Sequence, residues 1–290
     1  MPTAFLTDRA LVSVSGPDAE HLLQNVITTD LDALAAGEVK PGALLAPQGK
    51  ILFDFLISRD GAGGFLLDCR ADIADDLARR LSLYRLRAKA EIAKREQPLV
   101  QIWWQDDSSP SQSDSTPAEG LRDRRFAEPS AVRRAYPRRQ EGDGDLAAWQ
   151  AFRIASGIAE SGVDYALGDA FPHDVLLDQV GGVGLRKGCY VGQEVVSRMQ
   201  HRGTARRRAL IVSALGELPA PGTDILAGGR PIGSLGSTAG ASALGIVRID
   251  KVKAAMDAGQ PITAGDAVLS LAIPAWATFT FPQGTAAEEA

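Results

Sequence analysis

Thiols and imidazoles are scarce in this chain of 290 residues, which has two cysteines, Cys69 and Cys189, and three histidines, His21, His173 and His201. Two cysteines cannot build a disulfide framework or a four-cysteine metal site. The histidines are scattered with no His-x-x-x-His pair, so no metal centre is expected. A resident iron–sulfur cluster fails on the same lack of thiolates; any cluster that meets this chain is shared with, or delivered to, another protein. No apolar run approaches the length of a membrane span, and no membrane partner is expected. The N-terminus lacks a basic segment with an apolar core behind it, and strand-like sequence begins by Leu11. The expectation is a soluble protein of a reducing compartment, the cytoplasm.

The common cofactor and nucleophile loops are missing too. Gly49-Lys50 has neither the upstream glycine spacing nor the Ser/Thr of a phosphate-binding loop. Gly182-Val183-Gly184 has Lys187 where a dinucleotide fingerprint needs its third glycine, and there is no Gly-x-Ser-x-Gly elbow. The formal net charge of −5 offers nucleic acid no general attraction, so direct nucleic-acid binding is not expected.

What is present is an ordinary globular composition, 45% hydrophobic and 23% charged, in a chain long enough for two or three packed units. Leu11–Ser15 alternates as a strand. Gly16-Pro17 then opens a helix whose apolar face is Leu22, Leu23, Val26 and Ile27, stopped by Thr28-Thr29-Asp30. Gly42–Asp60 reads as two strands joined at Gln48-Gly49. Asp54 interrupts the second; it is either a surface position on a half-exposed strand or an acid facing a ligand channel. Gly64–Cys69 is a further strand with Cys69 as a buried, inert thiol. A helix follows from Asp72 to Tyr84, its arginines forming a solvated face. Pro98–Gln105 is a strand, residues about 106–120 a flexible loop, and Arg122–Arg139 extended and solvated. Asp145–Ser156 is a helix with Leu146, Trp149, Phe152 and Ile154 inward and Gly157 as its stop; Phe171 opens a short helix through Leu177. Beyond Gly203 short strands separated by glycine turns run to Ala277–Phe281, the pattern of an antiparallel β-barrel over 204–282 with a disordered tail at 283–290.

The densest chemistry lies in Lys187-Gly188-Cys189-Tyr190-Val191-Gly192-Gln193-Glu194. Cationic neighbours and a helix start near Gly192 favour a thiolate at Cys189, and the glycines permit close approach. A tight glycine-bounded turn with a small residue in it is the other reading. Just downstream, Arg198, His201, Arg202 and Arg206–Arg208 form the densest positive cluster. It suits a multiply anionic ligand tail or an RNA backbone, or it is a solvated linker.

This octapeptide resembles the K-G-C-Y-x-G-Q-E signature of the YgfZ family, folate-binding relatives of the glycine cleavage T-protein implicated in maintaining iron–sulfur enzymes. Gly49–Asp54 resembles the family's Q-G-[KR]-x-x-x-D strand, Phe152–Gly157 its F-R-I-x-x-G helix, and Gly229–Ile246 a segment of its barrel. The resemblance implies an α+β fold of two T-protein-like lobes over 1–203 and a C-terminal β-barrel, arranged as a three-domain ring around tetrahydrofolate. It implies Cys189 as the functional thiol and Asp54 as the acid near the folate. Lys187, Gly188, Tyr190, Gly192, Gln193 and Glu194 stand around that cysteine in the motif. Apart from the resemblance, the positive charge of Arg198 and Arg202 is expected to hold the glutamate tail of the folate. The function implied is a folate-dependent accessory to assembly or repair of iron–sulfur enzymes, including those modifying tRNA. Its partners are scaffold or recipient proteins such as A-type carriers and radical enzymes. The alternatives are a folate-dependent aminomethyltransferase and a non-enzymatic RNA- or protein-binding module.

Overall fold

The computed structural model describes residues 1–96, 99–105, 120–127, 132–140 and 142–282. The loop expected about 106–120 lies outside the described residues except for Gly120, and the tail 283–290 lies wholly outside them. Contacts divide the chain into two units, Met1–Trp149 with Val180–Val195, and Gln150–Gln179 with Val196–Ala290.

The first unit is built on a nine-stranded sheet. In chain order its strands are β1 (Thr3–Leu6), β2 (Arg9–Ser15), β3 (Glu38–Leu45), β4 (Ile51–Arg59), β5 (Phe65–Arg70), β6 (Glu91–Lys94), β7 (Val100–Trp104), β8 (Leu121–Asp123) and β9 (Val132–Ala135). In space they lie in the order β1-β7-β9-β8-β3-β4-β5-β2-β6, all neighbours antiparallel except β3 and β8. Helices α1 (Ala19–Val26) and α2 (Ala74–Arg85) share the core of the β2, β4 and β5 strands. Leu22, Leu23 and Val26 of α1 and Leu77 and Leu81 of α2 are buried there, each contributing about 1.5–3 kcal/mol by leaving water. Cys69 is fully buried in the same core, where burial pushes its thiol up to about 12, as an inert structural cysteine requires.

The arginine-dense stretch from Arg122 to Arg139 is only in part the solvated surface that its composition suggests: Arg124, Arg138 and Arg139 are exposed, but Arg125 and Arg134 are buried. Strands β8 and β9 carry part of it into the sheet, and Arg134 is only 1% exposed. Its guanidinium donates to Asp68 Oδ2 at 2.7 Å and stands 3.6 Å from Asp123. Arg9 donates to the other oxygen of Asp68 at 2.7 Å, and Arg125 grips Asp123 through two nitrogens at 3.0 and 2.7 Å. Burial alone would raise the Asp123 carboxyl; Arg125 and Arg134 outweigh that and hold it below its ordinary value. Alternation of acids and arginines reads the same whether the ions are solvated or paired indoors. Asp68, distant in sequence, decides the matter.

The second unit contains a closed antiparallel barrel. Its strands are β10 (Arg207–Ala214), β11 (Asp224–Ala227), β12 (Arg230–Ala239), β13 (Ser242–Arg248), β14 (Ile262–Ala264) and β15 (Ala267–Ala272), in the order β10-β13-β12-β11-β14-β15 with β15 closing on β10. Gly228 and Gly229, at φ 54° and 75°, make the two-residue hairpin between β11 and β12. Helix α3 (Leu146–Ala155) brings Arg153 into this unit, where it is 1% exposed; α4 (Gln193–Arg202) and α5 (Ile249–Asp257) are the remaining α-helices among the described residues. Arg153 donates to Asp164 Oδ2 at 2.8 Å, to Ile158 O at 2.6 Å and to Ser237 Oγ at 2.6 Å, while Asp164 Oδ1 accepts Ser237 N at 2.7 Å. The Phe-Arg-Ile motif is thus a structural pin on β12.

Three local expectations are corrected. Residues 171–177 form successive turns, Asp174 N to Phe171 O and Leu176 N to His173 O, and Leu176, at φ 61° in the left-handed region, keeps the backbone from continuing as a helix. Residues 277–281 form no strand; Trp276 instead donates its indole N–H to Ser156 O at 2.7 Å. Leu146, at the first position of α3, is 47% exposed rather than inward.

Removing Arg134 leaves two buried carboxylates short of a partner. Arg134→Met should destabilise the first unit by about 3 kcal/mol, measured as a lower urea midpoint with an unchanged denaturant slope. A change within 0.5 kcal/mol would mean that the ions are solvated after all.

Candidate functional site

The Lys187–Glu194 segment belongs to the first unit up to Val195, and it is held there by main-chain oxygens. Helix α1 ends at Val26, and the next residues, Ile27, Thr28 and Thr29, are fully buried. Thr28 Oγ1 donates to Gly182 O at 2.7 Å and accepts Ala43 N at 2.9 Å; Thr28 O accepts Gly184 N at 2.7 Å. The ammonium of Lys187 donates to Ile27 O at 2.9 Å and to Thr29 O at 2.7 Å. The Lys187 stem passes so close to Gly184 that a Cβ there would meet its Cδ at 2.6 Å. Thr28 and Thr29 therefore make a platform for the loop. Sequence reasoning took them only as a helix stop; the one available signal was a pair of small donors directly after an amphipathic helix.

The second attachment is backbone to backbone. Gly192 has φ +80°, and a Cβ on it would meet Ala46 O at 2.5 Å and Leu45 Cβ at 3.0 Å. Gly49, at φ +81°, would meet Val195 Cβ at 2.9 Å in the same way. The β3–β4 turn, closed by Ala46 N to Lys50 O at 2.8 Å, is therefore seated against the start of α4. Two stretches that resemble the same family in sequence, Gly49–Asp54 and Lys187–Glu194, are brought together here.

Between these attachments the side chains alternate between anchor and display. Lys187 is buried, Gly188 and Cys189 are exposed, and Tyr190 is buried with its ring 5.3 Å from the Lys187 ammonium. Burial pushes the Tyr190 phenol up to about 12 and the Lys187 ammonium down to about 8, the latter against the pull of Asp30 and Asp32. Gln193 Oε1 accepts Tyr190 N at 3.3 Å, tying the loop to the first turn of α4, where Glu194 is exposed. The lysine that the sequence puts beside the thiol thus spends its ammonium on carbonyls of the platform. What remains is one solvent-facing thiol on an anchored loop, able to bond an external electrophile or metal.

The other expected site residues fall as follows. Asp54 is half-buried, three residues into β4 and roughly 10 Å along the strand from Ile51. It faces Ala43 on β3, and its charge is felt by the buried thiol of Cys69 on β5. Arg198 and Arg202 are exposed on α4 and, with Glu194, recur every four residues along one helix face. Further along, Arg208 is buried and paired to Asp178 at 2.7 Å, so the positive cluster is partly structural. Among the described residues no group of three His, Cys, Asp or Glu could hold a metal ion.

Comparison with known proteins places this geometry. Residues 206–279 match the family model of the CAF17 C-terminal β-barrel domain. The mitochondrial iron–sulfur cluster assembly factor IBA57 of Mus musculus is 31% identical, over 87% of this chain and 79% of the mouse protein. The chain belongs to the IBA57 family. The Homo sapiens protein of the same name is 29% identical over 93% of this chain and 84% of its own. The Chaetomium globosum homologue is 33% identical, but the chain spans about half of it, 55%. Among solved structures, glycine cleavage system aminomethyltransferase T from Bartonella henselae superposes with a TM-score of 0.72 at 17% identity, over 95% of this chain and 86% of that one. It shows the fold: mixed α+β of the aminomethyltransferase type with a closed six-stranded barrel. The family shown here is IBA57; the likeness to YgfZ rests on the motif alone. The cytoplasmic expectation is overturned, since the mouse, human and Chaetomium relatives are mitochondrial proteins by name. Scarce cysteines separate reducing from oxidising compartments and do not choose among the reducing ones.

The buried lysine gives the site a pH signature. Its pKa of about 8 in the folded chain lies below the ordinary 10.5, so between those values the unfolded chain holds a proton that the folded chain lacks. Stability from this group therefore rises with pH across that window, by up to about 1.4 kcal/mol per pH unit, and its cost is fully present below it. Urea unfolding of wild type and Lys187→Met at pH 7.5, 9 and 10 should show the difference widening in favour of wild type; a constant difference would contradict the burial of the charge.

Proposed function

We propose that this chain supports iron–sulfur cluster assembly or repair as a tetrahydrofolate-binding accessory protein, with Cys189 as its cluster- or thiol-exchanging residue. The observation that carries the reading is the presentation of Cys189, an exposed thiol between a buried lysine and a buried tyrosine. Membership of the IBA57 family supports the iron–sulfur role, and the aminomethyltransferase-type fold supports the folate role. The recipients in this reading are A-type carriers and radical enzymes, those that modify tRNA among them.

The residues present suit a reduced folate. Asp54 offers a half-buried carboxylate of the kind that accepts the paired N–H donors of a pterin ring. When bound, tetrahydrofolate supplies the nitrogen pair that carries one-carbon groups. This chain's own residues do the rest. Lys187 and the Thr28–Thr29 platform fix the loop, so Cys189 meets its partner without first ordering the backbone. On giving up its proton, Cys189 provides one thiolate to iron in place of one existing ligand. The remaining iron ligands come from the partner, because no group of three His, Cys, Asp or Glu that could hold a metal ion is found among the described residues.

Aminomethyl transfer is the second reading, favoured by the likeness of the fold to aminomethyltransferase T, with Asp54 polarising or deprotonating the substrate amine. Three experiments test these readings. In calorimetric titration with tetrahydrofolate, Cys189→Ala should bind as wild type does and Asp54→Asn about tenfold or more weakly. In a deletion strain, Cys189→Ser should fail to restore iron–sulfur enzyme activity; full rescue would remove the thiol from the account. Methylenetetrahydrofolate formation in a reconstituted assay, abolished by Asp54→Asn, would favour the transferase.

A further inference from the structure

Helix α2 ends in a stretch of charge that the folate and thiol readings do not use. Residues 77–90 contain five cations, Arg79, Arg80, Arg85, Arg87 and Lys89, and no acid, in a chain whose formal net charge is −5. All five are exposed. Arg79 is paired to Asp76 at 2.9 Å. Arg80, Arg85, Arg87 and Lys89 take part in no salt bridge among the described residues. Asp18 reaches this end of the helix, and its carboxylate accepts the main-chain N–H of Lys89 at 2.6 Å. Cations at a helix C-terminus complement the dipole, so charge alone would leave this an ordinary solvated end.

The apolar residues between the cations do not fit that reading. Leu77 and Leu81 are fully buried in the core, but Leu83, about 200° around the helix from Leu81, is 65% exposed. It stands four residues after Arg79 and three after Arg80, on the same outward face. Leu86, which closes α2, is 87% exposed and has φ 45°. Glycine takes a positive φ freely and leucine takes it only under strain. The chain therefore holds two large apolar side chains in water, one of them at a conformational cost, among four cations without acid partners.

This pairing selects the kind of partner. Nucleic acid rewards the cations and an aromatic stacking platform, and the aromatic of this stretch, Tyr84, packs against the core instead. An anionic bilayer rewards both components: arginine and lysine heads sit at the phosphates while the leucines enter the acyl boundary beneath them. The patch is opposite in sign to the chain as a whole, so its charge complements such a surface where the rest of the chain does not. No helix among the described residues is long and apolar enough to cross a membrane, which bears on spanning a bilayer and not on resting against one.

We propose that the C-terminal end of α2 docks on an anionic phospholipid surface, with Leu83 and Leu86 inserted among the lipids and Arg80, Arg85, Arg87 and Lys89 at the headgroup phosphates. The surface lies wholly within the first unit and does not depend on the function proposed above.

The test is co-sedimentation of the full chain with vesicles of phosphatidylcholine alone and of phosphatidylcholine with about 30% phosphatidylserine. Wild type should bind the anionic vesicles and not the neutral ones. Arg80→Gln/Arg87→Gln and Leu83→Ser/Leu86→Gly, all at exposed positions, should each weaken binding about tenfold or more. Arg138→Gln/Arg139→Gln, two exposed arginines elsewhere in the same unit, should leave it unchanged. No binding to the anionic vesicles would overturn the proposal, as would an equal loss in the Arg138→Gln/Arg139→Gln control. Binding that falls in the arginine variant and is untouched in the leucine variant would also overturn it, since the patch would then act by charge alone, as for a nucleic acid or an acidic protein.

Discussion

The ammonium of Lys187 on the carbonyls of Ile27 and Thr29 is the interaction on which the candidate site depends. It joins points 160 and 158 residues apart, and it fixes a loop to which Gly181, Gly182, Gly184, Gly188 and Gly192 would otherwise give large backbone freedom. Burying a lysine is unfavourable, and the depressed pKa records that cost. The carbonyls repay it by satisfying the donors, and even a neutral amine keeps two N–H groups for two acceptors. With both ends of the loop attached, Cys189 is left facing solvent in a defined place. The contrast with Cys69 is instructive: the same side chain, enclosed by the first unit's core, is chemically silent.

Buried charge plays a second part elsewhere in the fold. Asp68, Arg134 and Asp123 cross-link strands of the sheet, and Arg153 with Asp164 pins the chain after α3 onto β12. Each of these ions has two or more partners, which makes burial of its charge tolerable, although Arg134 Nε is left without a hydrogen bond. They determine which irregular segments lie against which strands, a task that apolar packing alone performs with less geometric definition.

Local pattern made much of this legible in the sequence. Period-two alternation located β2 and β5, an apolar run broken by Asp54 located β4, spacing by three and four located α1 and α2, and paired glycines located the β11–β12 hairpin. The octapeptide around Cys189 was recognisable as a unit. What escaped was whatever depended on a remote partner. Arg134 looked like surface because Asp68 stands on another strand, and Lys187 looked like an activator of the thiol because the carbonyls that hold it belong to the residues after α1. The short strands β11 and β14 carry too few residues to show a period, and they exist because the barrel must close. Thr28 and Thr29 were visible as residues and invisible as a platform.

Amide hydrogen exchange at Gly184 tests the anchoring of the Cys189 loop most directly, because its N–H is bonded to Thr28 O. In wild type this amide should be protected. In Lys187→Met its protection should fall at least about tenfold, while Ala43, whose amide is bonded to Thr28 Oγ1 within the sheet region, stays protected. Equal protection of Gly184 in the two proteins would show that the lysine does not hold the loop, and the account of how Cys189 is presented would fail.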